Sequence, residues 1–238
     1  MNINIGIIGA IDQEIKIFKK IINYQIIKNI GKFQVYIGTF KQNNIFLIKS
    51  GIGKVSASIA STILIVLFKS KIIINSGSAG ALHPQLKIGD IIIPNQLCYY
   101  DVNLTNFGYS QGQIPQYPKQ FKINKNLHNI LIKTATQFKL SFTVGLLITG
   151  DSFVRGKNLI NKLKLQFSSA IGVEMESTAI AQVCYQFDIP LIVIKSISDL
   201  SDQKATLNFK KNISIASLES SHFVKLILEN TKIYKCIE

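Results

Sequence analysis

Short apolar segments rich in β-branched residues alternate along this chain with longer segments of helical period. Residues 4–10, 72–76, 142–149 and 191–198 have the pattern of buried strands, and helical patterns lie between them. Strands that alternate with helices predict an α/β fold with a largely parallel sheet. The length of 238 residues suits a single domain, so we predict one catalytic domain over residues 1–238.

Carboxylates stand at the ends of two predicted strands. Glu174 and Glu176 flank Met175 at a predicted strand-to-helix junction, and Asp199 follows the strand at 191–198. The carboxyl ends of buried strands are where α/β folds gather binding and catalytic groups. Because the chain has only 13 Asp and Glu residues, we expect these acids to serve a common cleft.

Glu14 lies in the first turns of a helix predicted over residues 12–22, where its carboxylate would face the same strand ends. A carboxylate at this position also compensates the helix dipole, a role that Asp12 would serve equally well. The residue by itself leaves both roles open.

Two segments of small residues, SGIGKVSAS from Ser50 and NSGSAGAL from Asn75, are predicted to be turns that follow strands. Glycine lets a ligand approach the backbone, and free amides at a helix start bind anions or sugar hydroxyls. Two such turns favour a shared ligand cleft. Close packing of helix on strand would explain the same composition without one.

Three phenylalanines, Phe107, Phe153 and Phe209, lie in or beside predicted loops and outside the periodic apolar runs. An aromatic ring in such a place is either a platform that stacks on a flat ligand or part of a satellite core. The sequence alone leaves both interpretations open.

The net charge of +14 suggests a nucleic-acid ligand, but the distribution of charge argues against one. The lysines are scattered, and the single arginine, Arg155, cannot supply the guanidinium forks that read bases and phosphates. The segment GIIGA lacks the third glycine of a dinucleotide fingerprint. The longest apolar run, at 58–68, is too short to span a bilayer. We therefore predict neither a nucleic-acid nor a membrane partner.

Cys98, Cys184 and Cys236 have neither metal-binding nor disulfide spacing. Their odd number and the lack of a signal peptide favour a reducing, cytoplasmic location. Cys184 falls in a helical pattern and is expected in the core rather than as a nucleophile. None of the three histidines has a ligand partner at a useful spacing, so we expect no metal and no cofactor.

Seven segments occur together in a characteristic order and resemble the 5′-methylthioadenosine/S-adenosylhomocysteine nucleosidases. They are GIIGAIDQE, SGIGKVSAS, INSGSAGAL, NLTNFGYSQGQIP, GDSFV, VEMESTAIA and SISDL, and they extend from Gly6 almost to Phe209. The resemblance implies a twisted mixed sheet surrounded by helices, as in the purine and uridine phosphorylases. It also implies hydrolysis of these two nucleosides to adenine and a thioribose, a role in methionine salvage, and 5′-deoxyadenosine as a further substrate.

The same resemblance assigns roles to residues around a nucleoside. Asp199 would be the general acid that protonates nitrogen-7 of adenine, with Ser198 supporting its geometry. Glu14 would be the base that activates water. Glu176 would bind the ribose hydroxyls, and Met175 would pack against the sugar and its 5′-thio group. The remaining implied contacts line the cleft or stack on adenine: Ser78, Gly80, Phe153, Val154, Ile52 and Phe209.

The resemblance further implies a homodimer in which a loop over residues 102–118 completes the site of the partner subunit. Leu104, Phe107, Tyr109 and Pro115 belong to this partner-facing loop. One departure from the family pattern is Lys195, which stands where an arginine is frequent. It puts fine substrate preference in question but not the type of reaction.

Two alternatives remain from the sequence. A phosphorolytic transferase on the same fold would need a phosphate site, normally built with arginines, and would not need the base Glu14. A nucleoside-binding protein without catalysis would keep the binding turns, but it would not need Glu14 and Asp199 together.

Overall fold

The computed structural model describes residues 3–230, in which strands and helices alternate as the sequence predicts. The strands are β1 (Asn4–Gly9), β2 (Ile26–Ile30), β3 (Phe33–Phe40), β4 (Asn43–Lys49), β5 (Ile72–Ala81), β6 (Ile91–Tyr99), β7 (Phe121–Lys122), β8 (Phe142–Thr149), β9 (Ala170–Glu174) and β10 (Leu191–Asp199). The helices are α1 (Asp12–Ile21), α2 (Lys54–Val66), α3 (Lys125–Gln137), α4 (Lys157–Gln166), α5 (Ser177–Gln186) and α6 (Ala205–Glu229).

All the strands belong to one sheet, and part of that sheet closes on itself. The strand order is β10-β6-β8-β9-β5-β1-β4-β3-β2, β7 pairs with β6, and β10 pairs also with β5. The strands β5, β9, β8, β6 and β10 therefore form a closed ring, from which β1 to β4 extend as an open wing. Closure brings together strands that are far apart in the sequence.

The mixed α/β sheet predicted from the sequence is confirmed, and much of it is antiparallel. Strand β1 pairs in parallel with β4 and β5, and β8 pairs in parallel with β6 and β9. The β2–β3–β4 meander is antiparallel, as are the contacts of β5 with β9 and of β6 with β10. Gly80 of β5 lies opposite Val173 of β9, so these two antiparallel strands pair near the carboxyl end of each.

Helices cover both faces of the sheet and bury its apolar residues. Helices α2 and α5 supply Leu64 and Ile180 to one core, and α1 and α6 supply Phe18 and Phe223 to the other. Helix α4 adds Leu163 to a third, smaller core. Fully burying one such side chain contributes about 1.5–3 kcal/mol, so these cores hold the strand ends in fixed positions.

Several elements differ from the sequence prediction. The edge strand β2 and the short β7 were not predicted, because side chains of β2 are mostly exposed and show no buried pattern. The sequence pattern predicts a strand over residues 88–94, but strand β6 continues to Tyr99, because a register shift between Pro94 and Gln96 accommodates the proline. Cys184 is buried in the core as predicted, and Cys236 lies outside the described residues.

Candidate active site

A cavity of about 460 Å³ opens where the ends of the ring strands meet the start of α1. It is lined by eleven of the residues singled out from the sequence: Glu14, Ile52, Ser78, Gly80, Phe153, Val154, Met175, Glu176, Ser198, Asp199 and Phe209. Segments from seven separate parts of the chain thus converge on one space, as the positions of the carboxylates predicted.

Glu14 is 4 % exposed and is held by hydrogen bonds on both carboxylate oxygens. Its Oε2 accepts the backbone N–H of Ala10 at 2.7 Å and that of Ile11 at 3.4 Å, so it also satisfies amides at the start of α1. Its Oε1 accepts the backbone N–H and the hydroxyl of Ser78, at 2.9 and 3.0 Å. Glu14 therefore binds the amides at the start of α1 and also faces the cavity.

The segment with Ser78 and Gly80 is part of strand β5, so the turn predicted there from its small residues is wrong. The small side chains serve the cavity wall. A Cβ at Gly77 would lie 2.6 Å from Glu14 Oε1, and one at Gly80 would lie 3.0 Å from Asp199 Oδ1 and closer still to the Ser201 hydroxyl. Only glycine leaves room at these points for the two carboxylates. The other predicted turn is confirmed, because α2 begins at Lys54.

Glu174 ends strand β9 and is the centre of a buried hydrogen-bond network. It accepts the hydroxyl of Thr149, the backbone N–H of Glu176 at 3.0 Å and the hydroxyl of Ser177 at 2.8 Å. Its Oε2 also lies 3.1 Å from Nζ of Lys195, and both side chains are almost completely buried. Glu174 therefore holds the chain rigidly where strand β9 turns into helix α5, beside Glu176.

Glu176 is the N-cap residue of α5 and is buried in the cavity wall. Its Oε1 accepts the backbone N–H of Gly53 at 2.8 Å. Burial, followed by repulsion from Glu174, raises the pKa of Glu176 to about 8, although Lys195 and the Gly53 amide act in the opposite direction. Burial and the neighbouring acid therefore favour the neutral form of this carboxyl group more than water does.

Lys195 is a cation buried in the middle of strand β10. Burial lowers the pKa of Lys195, but the charges of Glu174, Glu176 and Glu14 outweigh it, so the net effect is a raised pKa. The ammonium group thus stays charged and compensates the carboxylates of the cavity wall. No such role was predicted for Lys195, although a lysine inside an otherwise apolar strand is itself a signal of a buried partner.

Asp199 is the last residue of β10 and is 2 % exposed. Its Oδ2 accepts the Ser198 hydroxyl at 2.9 Å, and its Oδ1 accepts the backbone N–H of Ser201 at 2.9 Å. Burial raises the pKa of Asp199, and these two hydrogen bonds offset part of the rise. A raised pKa is what a carboxyl group needs to carry a proton at neutral pH.

Two of the three phenylalanines singled out from the sequence, Phe153 and Phe209, lie in the apolar part of the cavity. The rings of Phe153 and Phe209 meet edge to face, with centroids 5.7 Å apart. Phe153 is 41 % exposed, so one side of its ring remains open to a flat ligand. Glu174, which the sequence predicted to serve the same cleft, also lines the cavity. The other lining residues were not predicted: Ala10, Ile11, Ala79, Ser152, Val173, Ser201, Thr206 and Lys210.

The loop over residues 102–118, predicted to face a partner subunit, does not contribute to the lining of this cavity. Leu104, Tyr109 and Pro115 are half-buried and Phe107 is 78 % exposed, and none of them lines the cavity of its own chain. The structure thus brings together the predicted acid, base and ribose ligand but not the four loop residues.

The described residues were also compared with the requirements of a metal site and of a membrane span. Across the described part of the chain, His, Cys, Asp and Glu side chains form no group of three arranged to hold a metal ion. No helix within residues 3–230 combines the length and apolarity needed to cross a bilayer.

Comparisons with known proteins agree with the family resemblance found in the sequence. The family model of the phosphorylase superfamily matches residues 4–229. A 5′-methylthioadenosine/S-adenosylhomocysteine nucleosidase of Buchnera aphidicola subsp. Schizaphis graminum is 66% identical over 225 residues, which are 94% of this chain and 96% of the relative.

Solved structures are similar over the same extent. An S-adenosylhomocysteine nucleosidase from Streptococcus pyogenes, in complex with 5-methylthiotubericidin, superposes with a TM-score of 0.94 at 35% identity, covering 97% of this chain and 98% of its own. A futalosine hydrolase of Helicobacter pylori superposes with a TM-score of 0.91 at 29% identity, covering 95% and 97%. The chain therefore belongs to the phosphorylase superfamily and, within it, to the 5′-methylthioadenosine/S-adenosylhomocysteine nucleosidase family.

Proposed function

We propose that this protein hydrolyses the N-glycosidic bond of 5′-methylthioadenosine and S-adenosylhomocysteine. The products are adenine and 5-methylthioribose or S-ribosylhomocysteine, and 5′-deoxyadenosine is a further substrate. The observation that carries the proposal is that Glu14 and Asp199, both buried, line the same cavity. An enzyme that splits a base from a sugar with water needs one group to accept a proton and another to donate one.

Asp199 is proposed as the general acid. Protonation of nitrogen-7 converts adenine into a neutral leaving group as the bond to the sugar breaks. Burial raises the pKa of this carboxyl and so favours its protonated form. The Ser198 hydroxyl and the Ser201 amide are donors that stabilise the carboxylate left after proton transfer.

Glu14 is proposed as the general base. Its carboxylate takes a proton from water, whose oxygen forms the new bond to the anomeric carbon. The hydrogen bonds from Ala10 and Ser78 fix the orientation of this carboxylate before substrate arrives. Each such acid or base typically contributes on the order of 10²–10⁴-fold to the rate.

The remaining cavity residues are proposed to hold the nucleoside. Glu176 accepts the ribose hydroxyls, Met175 packs against the sugar, and Phe153 stacks on adenine. Negative charge near the sugar also stabilises the oxocarbenium-like centre that develops as the bond breaks. The other proposed contacts are Ile52, Ser78, Gly80, Val154 and Phe209.

The composition of the cavity favours hydrolysis over phosphorolysis. Among the described residues that line the cavity, Lys210 is the single lysine, and no arginine lines it. A phosphate dianion is usually bound by several cationic or amide donors. The buried base Glu14 has a use when water is the nucleophile and none when phosphate is.

We also propose that the protein forms a homodimer in which residues 102–118 complete the partner's site. The exposure of Phe107 supports this proposal, as does an apolar stripe at the start and along the outside of α2. Ile52, Val55 and Ile59 of that stripe are 59%, 71% and 45% exposed. Exposed apolar surface of this kind is typical of an interface.

Complementation between two inactive variants tests the shared site. Asp199→Asn and Phe107→Ser chains are co-expressed, and mixed dimers are purified by two different tags. In a mixed dimer one site combines an intact Asp199 with an intact partner loop, so activity should return. Mixed dimers that stay inactive, or a monomer with full activity, would contradict the proposal.

The reaction itself is tested by adenine release from 5′-methylthioadenosine in phosphate-free buffer and again with phosphate added. Release that is independent of phosphate supports the nucleosidase. Release only with phosphate identifies a phosphorylase, and no release by folded protein favours a nucleoside-binding protein. Futalosine is assayed in parallel, because a futalosine hydrolase shares the fold.

A further inference from the structure

A cluster of three charged side chains lies beside the cavity without lining it, and two of its members belong to segments that form different walls of the cavity. Lys54 begins α2, Asp101 begins the loop after β6, and Asp151 follows β8. Nζ of Lys54 lies 2.7 Å from Asp101 Oδ2 and 3.9 Å from Asp151 Oδ2. The side chains are 24%, 27% and 46% exposed, so the cluster is partly shielded from water.

Backbone amides reinforce the same cluster. The N–H of Lys54 donates to Asp151 Oδ1 at 2.8 Å, and the N–H of Asp151 donates to Asp101 Oδ2 at 2.9 Å. Each of the three segments is thus bonded to the other two. The Lys54 ammonium also lies 5.2 Å from the centre of the Tyr99 ring, at the end of β6.

The cluster is adjacent in the chain to groups that line the cavity. Gly53, just before Lys54, donates its N–H to Glu176, and its φ of 97° favours glycine. A Cβ at Gly53 would also lie 2.9 Å from Asp151 Oδ1. Phe153 stands two residues after Asp151 and lines the cavity. A displacement of the cluster would therefore move Gly53, which binds Glu176, and also Phe153.

We propose that Lys54 is a positioning residue that, through Asp101 and Asp151, fixes the spacing between the ribose side and the adenine side of the cavity. Because Asp101 immediately precedes the partner-facing loop, the cluster also links the position of that loop to substrate binding. Glu14 and Asp199 are held by other contacts, so the cluster acts on binding and leaves the chemical step largely unchanged. The inference rests on the proposed nucleosidase function.

The test compares Lys54→Met with Lys49→Met. Lys49 forms a surface pair of similar length with Asp12, at 2.9 Å, and neither residue lines the cavity, which makes it a matched control. Loss of a partly exposed ion pair corresponds to about fivefold in an equilibrium constant. We expect Lys54→Met to raise KM for 5′-methylthioadenosine about fivefold with kcat within about twofold, and Lys49→Met to change neither.

Two further measurements separate positioning from a general loss of structure. Asp101→Asn, which is isosteric, should raise KM similarly, and adding it to Lys54→Met should raise KM no further, because both remove one interaction. Since 5′-methylthioadenosine is uncharged, added KCl should raise KM of the wild type by screening the cluster but leave Lys54→Met unchanged. If Lys54→Met does not fold, Asp101→Asn is judged by the same criteria.

The inference is overturned if KM of folded Lys54→Met or of Asp101→Asn stays within about twofold of the wild type. It is also overturned if the two changes are additive or if kcat falls while KM is kept. If the wild type releases no adenine, the proposed function fails separately. The variants are then compared for adenine binding by calorimetry, where unchanged affinity would overturn the inference.

Discussion

Replacing Lys195 by methionine tests how the buried charges of the cavity wall are balanced. The side chain of Lys195 is 1% exposed and that of Glu174 is 3% exposed, with 3.1 Å between Nζ and Oε2. Methionine keeps much of the apolar stem but removes the cation. Glu174 and Glu176 would then be left as neighbouring acids without a positive charge beside them.

The magnitude follows from the burial of the pair. Removing one partner of a buried ion pair typically costs about 3–5 kcal/mol. Glu174 keeps its hydrogen bonds from Thr149 and Ser177, so we expect the lower end of that range. For a chain of this length, ~3 kcal/mol corresponds to a decrease of about 6–12 °C in Tm.

The stability lost on replacing Lys195 by methionine should also depend on pH, and its direction can be worked out. Lys195 helps to hold down the pKa of Glu176, which is already raised above its usual value, so its removal raises that pKa further. A raised carboxyl pKa means that stability is full below the unfolded-state pKa and is lost as pH rises through the folded-state pKa. The difference in unfolding free energy between variant and wild type should therefore be constant well below pH 8. It should grow as pH rises above about 8, where the Glu176 carboxyl ionises in the wild type but is still protonated in the variant.

The assay is thermal and urea unfolding at one fixed protein concentration, with Lys49→Met as the control. The Lys49–Asp12 pair is largely exposed and should contribute about 0–1 kcal/mol. Adding Glu174→Gln to Lys195→Met should recover part of the lost stability, because it removes the uncompensated charge. A loss below about 1 kcal/mol, or a deficit that is the same at low and high pH, would refute this account of Lys195.

Three further predictions concern the proposed catalytic groups. Asp199→Asn should lower kcat by roughly 10²–10⁴-fold with little change in Tm, and turnover near the wild-type rate would remove Asp199 from the acid role. Glu14→Gln should lower kcat similarly while calorimetry still detects adenine binding; loss of both would point to a structural role through Ser78. Glu176 has a folded-state pKa of about 8 against an ordinary value of 4.5, so stability of the ligand-free protein should fall as pH rises across this interval. Glu176→Gln should abolish that dependence and should raise Tm at about pH 9, and a Tm–pH profile identical to the wild type would contradict the assignment.

Much of the fold was predictable because the buried strands have unambiguous patterns. Strand β8 was predicted at its observed bounds, since the whole segment is apolar or β-branched and a polar helix follows. Strand β2 was not predicted, because its side chains are mostly exposed. It is a strand because its backbone pairs with β3. Strand β5 was predicted too short, because small residues suggest turns unless the buried neighbours on either side are known.

The site residues that lie at strand ends or in the family motifs could be predicted from the sequence. Glu14, Glu176 and Asp199 were singled out from their positions and from the family resemblance, and all three line the cavity. The network around Glu174 and Lys195 was not predicted, because it depends on the side-by-side arrangement of strands that the sequence separates. The role of the cluster at Lys54 depends in the same way on three distant segments meeting.

The closed ring of strands has a consequence for how the protein is made. Strand β10 is the last strand of the described chain, and it closes the ring by pairing with both β5 and β6. Until β10 has left the ribosome, β5 and β6 present open edges to solvent, and the nascent chain lacks Lys195 and Asp199. Open edges invite pairing with other chains, so the period before closure is when the protein is most exposed to aggregation and to chaperones.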